Sequence, residues 1–170
     1  MHHYCWALLK YGRYERTRAS SRERAYYLEE AYGDFVYVVT NAEKDFVLMP
    51  EVLTWLARTQ IRLRRFSDAE KSLAQARTIK PDYWPAYFHW VEYLQSAGRK
   101  AEALALVTVG LQHSPNAKAL QAQYRSLGGK PDQSPASNGR ELALPSEAAS
   151  GSTGRTDRPV ATDSAPVGSN

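Results

Sequence analysis

The sequence predicts an all-α protein, a short stack of helical hairpins followed by a carboxyl-terminal tail without regular structure. Three observations predict this fold. The stretch from Pro50 to Asn116 repeats itself with a period of 34 residues. Each unit holds two segments in which apolar residues recur at helical spacing, separated by a short polar break. Beyond residue 130 the bulky apolar residues become sparse, and Ser, Pro, Gly, Ala and Thr dominate.

Equivalent positions of the two units carry similar residues. The first helix of each unit repeats its bulky positions, and the second repeats a small, a bulky and a small residue before a closing proline. The pairs are Leu53 and Tyr87, Leu56 and Trp90, Ala57 and Val91, Ala69 and Ala103, Leu73 and Val107, Ala76 and Gly110, and Pro81 and Pro115. Small residues let paired helices lie close together, and the proline ends the second helix. The sequence therefore predicts two hairpins, residues 50–83 and 84–117.

These positions resemble the tetratricopeptide repeat (TPR) family, over about half of the chain. In that family a small-x3-bulky-x2-small pattern on the second helix and a closing proline mark each unit. The resemblance implies a short right-handed solenoid, the α-α superhelix, whose groove is lined by the first helix of each hairpin. The sequence departs from the family at Gln60, where Tyr is preferred, and at Arg64 and Val91, where Gly is preferred.

Residues 1–49 are predicted to form a degenerate hairpin of the same kind with an inserted basic loop. The first helix is expected over residues 1–12, with Gly12 as its stop. Four of its residues fall on one predicted apolar stripe: Tyr4, Cys5, Leu8 and Leu9. Residues 13–24 are polar and basic, and we expect a loop there. From about residue 22 to Thr40 helical spacing returns, and Ala31, Phe35 and Val38 reproduce the second-helix pattern.

Local chemistry predicts how the helices begin and end. Ser67-x-x-Glu70 reads as a capping box, and Asp82 and Asn116 are candidate caps of the helices that follow them. Gly98 is expected to end a helix in the left-handed conformation. A last helix within residues 118–129 is expected to cover the final hairpin. Residues 130–170 are expected to be disordered, because their composition cannot offset the entropy of ordering the chain.

Charge is unevenly distributed along the chain, which carries 22 Lys and Arg against 18 Asp and Glu. Residues 1–130 hold 19 basic and 13 acidic residues, so the predicted helical part is basic and the tail is mildly acidic. The single cysteine, Cys5, excludes an internal disulfide and a cysteine-based metal box. No metal or cofactor site is predicted. No apolar run approaches the roughly 20 residues that a membrane helix needs.

The chain begins inside its first predicted helix, which leaves Tyr4, Trp6 and Leu8 near an unprotected end of the stack. Two explanations are open. Either Met1 lies inside a longer reading frame with upstream repeats, or the exposed end pairs with a partner, including a second copy of this chain. If Met1 is the true start, the absence of a signal sequence at the amino terminus predicts a cytoplasmic protein.

The TPR resemblance implies a non-catalytic scaffold that binds a segment of a partner protein. Helical spacing predicts which side chains face away from the buried positions and into the groove. They are Trp6, Lys10, Trp55, Arg58, Arg62, Phe88, His89 and Glu92. Because basic residues outnumber Glu92 in this set, the expected partner segment is acidic. An alternative interpretation of Trp55 and Phe88 is that they bridge adjacent hairpins.

A second class of function rests on residues 11–27, where arginines alternate with tyrosines. Cations interleaved with stacking platforms suit single-stranded RNA or DNA. Acidic residues dilute this segment, and a solvated basic loop is the favoured interpretation. An enzyme is not expected. His89 and Glu92 lie one helical turn apart, yet the sequence offers them no third group, nucleophile or phosphate-binding loop.

Overall fold

The computed structural model describes residues 2–16, 18, 20–43 and 45–130. These ranges form seven α-helices and no strand, which confirms the all-α prediction for the described part of the chain. The predicted tail lies, apart from Lys130, outside the described residues. The helices are α1 (His2–Arg16), α2 (Ser21–Asn41), α3 (Met49–Arg62), α4 (Phe66–Ile79), α5 (Trp84–Ser96), α6 (Lys100–His113) and α7 (Lys118–Ser126).

The helices pack as three successive pairs with α7 at the end. α1 packs on α2, α3 on α4 and α5 on α6, while α7 contacts α5 and α6. Three buried clusters hold these helices together, and each cluster joins one pair to the first helix of the next. The first spans α1, α2 and α3, the second spans α3, α4 and α5, and the third spans α5, α6 and α7. Each first helix therefore contributes apolar side chains on two sides.

The positions matched by the 34-residue period are buried in the two clusters that follow the first. Leu53 and Tyr87 are both buried, and so are Leu73 and Val107 on the second helices. The degenerate unit places Phe35 in the same way, without any exposed surface. Burial of these side chains supplies the main stabilisation of helices that are individually too short to persist in water.

The same turn closes the first helix of both matched pairs. Arg64 and Gly98, which are 34 residues apart, adopt left-handed backbone with φ values of 62° and 75°. In each turn this residue donates its amide to the carbonyl three residues back, and the next residue donates to the carbonyl five residues back. The donor–acceptor distances lie between 2.8 and 3.1 Å. This pair of hydrogen bonds is the Schellman motif, so the repeat extends to the backbone of the turn.

Arg64 carries a Cβ in a conformation that favours glycine, which gives a testable prediction. Replacing Arg64 by Gly is expected to raise the free energy of unfolding by about 1 kcal/mol, because the left-handed conformation is costly for a residue with a side chain. Urea denaturation followed by circular dichroism measures the change. Gly98→Arg is the matched reverse substitution and should lower stability by a similar amount. A loss of stability in Arg64→Gly would contradict the prediction.

The predicted basic loop over residues 13–24 is wrong. α1 continues through Gly12 to Arg16, and α2 begins at Ser21. Ser20 starts α2 with a capping box, since its hydroxyl accepts from the Glu23 amide at 3.3 Å while its own amide donates to the Glu23 carboxylate at 3.1 Å. This cap fixes the start of α2 earlier than apolar spacing alone indicated.

The predicted apolar stripe of α1 is also partly wrong. Cys5 and Leu9 are exposed, whereas Tyr4, Ala7 and Tyr11 are the buried residues. Their spacing of three and four residues places them on the face that α2 and α3 cover.

The other predicted caps are wrong. α4 begins at Phe66, so Ser67 already lies within the helix and cannot cap it. Glu70 instead accepts a hydrogen bond from Arg99 Nη1 at 2.7 Å. α5 and α7 follow Tyr83 and Ala117, and no side chain caps either helix. Asp82 and Asn116, the candidate caps, therefore lie one residue too early to serve.

Candidate functional site

Side chains of α1, α3 and α5 surround one open depression of about 310 Å³, here named the central groove. Four of the eight predicted groove residues line it, two from α3 and two from α5. The lining side chains include Tyr11, Arg58, Ile61, Arg62, His89 and Glu92. The groove lies on first helices of successive pairs, where the TPR resemblance placed it.

Arg58 is held in the central groove by aromatic rings. Its guanidinium carbon lies 4.1 Å from the ring centroid of Trp55 and 5.3 Å from that of Tyr11. The nearest carboxylate of the described residues, Glu15, stands 3.8 Å away, beyond hydrogen-bonding distance. Stacking therefore orients this cation while its hydrogen-bond donors are not taken up by a close carboxylate.

Arg62 stands one turn further along α3. Hydrogen bonding to the Tyr11 hydroxyl is the largest influence on Arg62 and raises the pKa of its guanidinium. Burial raises the pKa of Tyr11, so its hydroxyl keeps its proton at neutral pH. Arg62 forms no ion pair with the residues that the structure describes. Tyr11 thus positions two arginines at once, a role that its place in the Arg/Tyr-rich segment did not indicate.

His89 and Glu92 form a hydrogen-bonded pair on α5. His89 Nδ1 lies 2.8 Å from Glu92 Oε2. Burial, the largest influence, lowers the pKa of His89; the bond to Glu92 opposes this change, while the positive charge of Arg58 adds to it. The imidazole is therefore neutral at pH 7, donates from Nδ1, and leaves the pair with the single negative charge of Glu92, whose side chain is 52% exposed.

Trp55 and Phe88 do not line the central groove as the side-chain pattern predicted. Trp55 is half-buried, and Tyr11 packs edge-on against it with ring centroids 5.3 Å apart. Phe88 is half-buried in the third cluster, and its carbonyl accepts from Gln123 of α7 at 3.0 Å. Both residues connect neighbouring helix pairs, which is the alternative that the sequence left open.

Trp6 and Lys10 lie apart from the central groove, in a second depression of about 250 Å³ on α1 and α2. Trp6 is 58% exposed and shares this depression with Arg13 and Tyr26. Lys10 donates to Glu30 at 3.1 Å and to Asp34 at 2.8 Å on α2. The expected common groove for all eight residues is therefore wrong for these two, because Lys10 pairs with the acidic residues of its own helix pair.

The Arg/Tyr-rich segment 11–27 occupies the end of α1 and the start of α2. Arg13 lies over Tyr27 at 5.8 Å, and Arg24 lies over Tyr14 at 5.0 Å. These arginines cover tyrosine rings of the same chain. Two of the stacking platforms that a nucleic acid would need are thus already occupied within the protein.

Two further searches and the comparisons complete the description of the site. Among the described residues, no helix has the length and apolar character to cross a membrane. Within the same residues, no cluster of three or more His, Cys, Asp or Glu side chains could hold a metal ion. No family model, curated protein or solved structure matches this sequence significantly.

Proposed function

We propose that this chain is a non-catalytic adaptor of the TPR type, a superhelix of hairpins whose central groove binds an acidic segment of a partner protein. One observation carries the proposal. Arg58 and Arg62 face one groove, are oriented by Tyr11 and Trp55, and have no close carboxylate bound to them. Guanidinium groups held in this way suit carboxylates, which they bind through paired hydrogen bonds.

The packing supports the TPR part of the proposal. Each buried cluster joins one helix pair to the first helix of the next, and the Arg64 and Gly98 turns share their hydrogen bonds at the spacing of the sequence period. A chain built this way exposes one face of every first helix along the same side. Such a surface accommodates an extended or helical segment of another protein.

A peptide array tests the proposal. We expect the wild-type protein to retain Asp- and Glu-containing members of a short random-sequence peptide library. Arg58→Glu/Arg62→Glu should lose that preference, with affinity falling by about tenfold or more, because repulsion replaces two charge-assisted contacts. Equal retention of peptides without acidic residues, or unchanged retention by the double variant, would contradict it.

Arg16→Glu/Arg22→Glu is the matched control for the array. Both residues are exposed and lie outside the central groove, while the change in net charge is the same. We expect this variant to keep the wild-type peptide preference. It also separates the two classes of function, since binding of a labelled oligothymidylate that is lost in this control and kept in Arg58→Glu/Arg62→Glu would assign nucleic acid to segment 11–27.

A further inference from the structure

The central groove carries opposite charges on its two walls. Arg58 and Arg62 stand on α3, and Glu92 stands on α5. Arg58 and Glu92 are 34 residues apart, so they occupy equivalent positions of successive repeats. Because equivalent positions present their side chains to the same side of the stack, the reversal of charge from one repeat to the next gives the groove a positive and a negative wall.

These opposite charges do not neutralise each other. Among the described residues, Glu92 pairs with His89 only, and neither arginine of the groove lies within ion-pair distance of it. The neutral imidazole occupies one oxygen of Glu92, Oε2, through Nδ1. The other oxygen keeps its capacity to accept, and the half-exposed carboxylate keeps its charge.

An exclusively acidic ligand fits only one wall. Its carboxylates gain hydrogen bonds from Arg58 and Arg62, while any second carboxylate that extends toward α5 meets the like charge of Glu92. A cationic side chain at that place instead finds a free carboxylate oxygen. Electrostatic complementarity of this kind sets the register and the choice of partner.

We propose that Glu92 makes the groove selective for a peptide segment of mixed charge, an acidic residue on the arginine wall and a Lys or Arg on the α5 wall. Packed helices stand about 8–10 Å apart, and an extended chain advances about 3.3 Å per residue, so the two charges should lie about two to three residues apart. This inference rests on the proposed function and names the charge pattern of its ligand.

Fluorescence anisotropy with three labelled peptides on one Gly/Ser framework tests the inference with the full chain. All three place Glu at one position, and the second position carries Lys, Gln or Glu. We expect the wild-type protein to bind the Glu/Lys peptide about tenfold more tightly than the Glu/Glu peptide, with the Glu/Gln peptide between them. Glu92→Gln should remove this order, and Glu92→Lys should reverse it.

Glu43→Gln is the control for Glu92→Gln, because it removes the same charge from an exposed position outside the groove. It should keep the wild-type order, and matching thermal unfolding of all variants shows that the fold is intact. Equal wild-type affinity for the three peptides, or an unchanged order in Glu92→Gln, overturns the inference. If Arg58→Glu/Arg62→Glu still weakens binding in that case, the proposed function stands without it; if that variant binds normally, both fall.

Discussion

Replacing Phe35 by Ala is expected to lower the free energy of unfolding by about 3–5 kcal/mol. Phe35 is 0% exposed and lies in the cluster that joins α1, α2 and α3. Its ring centroid stands 6.4 Å from that of Tyr4, and the fully buried Ala7 and Ala31 belong to the same cluster. Small neighbours of this kind cannot extend into the space left by the ring. The cavity therefore adds to the lost burial.

Chemical denaturation followed by circular dichroism measures the Phe35→Ala effect. Tyr26→Ala is the matched control, an aromatic residue of the same helix that is 61% exposed. We expect the control to change stability by less than about 0.5 kcal/mol, as is usual for surface positions. A small change in Phe35→Ala as well would mean that the α1 and α2 pair unfolds separately from the rest of the chain.

Phe35 also shows why the buried positions could be predicted from the sequence. It was placed in a core because Ala31, Phe35 and Val38 repeat the small and bulky spacing of the better repeats, and the structure buries all three. Apolar spacing records which face of a helix is covered, since burial is the main source of stability for these short helices. It predicted that face without a contact list.

Helix ends were harder to predict, because a cap depends on a single residue of register. Ser67 has the right chemistry, but the ring of Phe66 stacks on Tyr93 of α5 at 5.4 Å and α4 begins with it. Glu70, the other half of the expected box, pairs with Arg99 across the helices. Both contacts are tertiary, and no local pattern records them.

The candidate site divides along the same lines. Arg58 and Glu92 could be predicted together because they share one phase of the repeat. Trp6 and Lys10 belong to the degenerate unit, where the period is lost and the phase had to be guessed. Lys10 lies beside Glu30 and Asp34, a pairing between α1 and α2 that sequence spacing does not reveal.

Gly110→Leu is expected to lower the free energy of unfolding by about 3 kcal/mol, the upper part of the range for overpacking. A Cβ at Gly110 would stand 3.0 Å from Leu120 Cδ1 and 3.0 Å from Tyr87 Cγ. α6 therefore lies against α5 and α7 with no room for a side chain at this position. Gly110 occupies the position that Ala76 holds in the preceding repeat, so the last pair is packed more closely there.

Gly33→Ala is the control of opposite sign. Gly33 lies inside α2, and a Cβ there would meet nothing within 4 Å. Because Ala is the better helix former, this substitution should raise the free energy of unfolding by about 1 kcal/mol. Both changes are measured by urea denaturation at one temperature. If Gly110→Leu also raised stability, α7 would not be packed on α6 through this glycine, and the closure of the last helix pair by α7 would have to be abandoned.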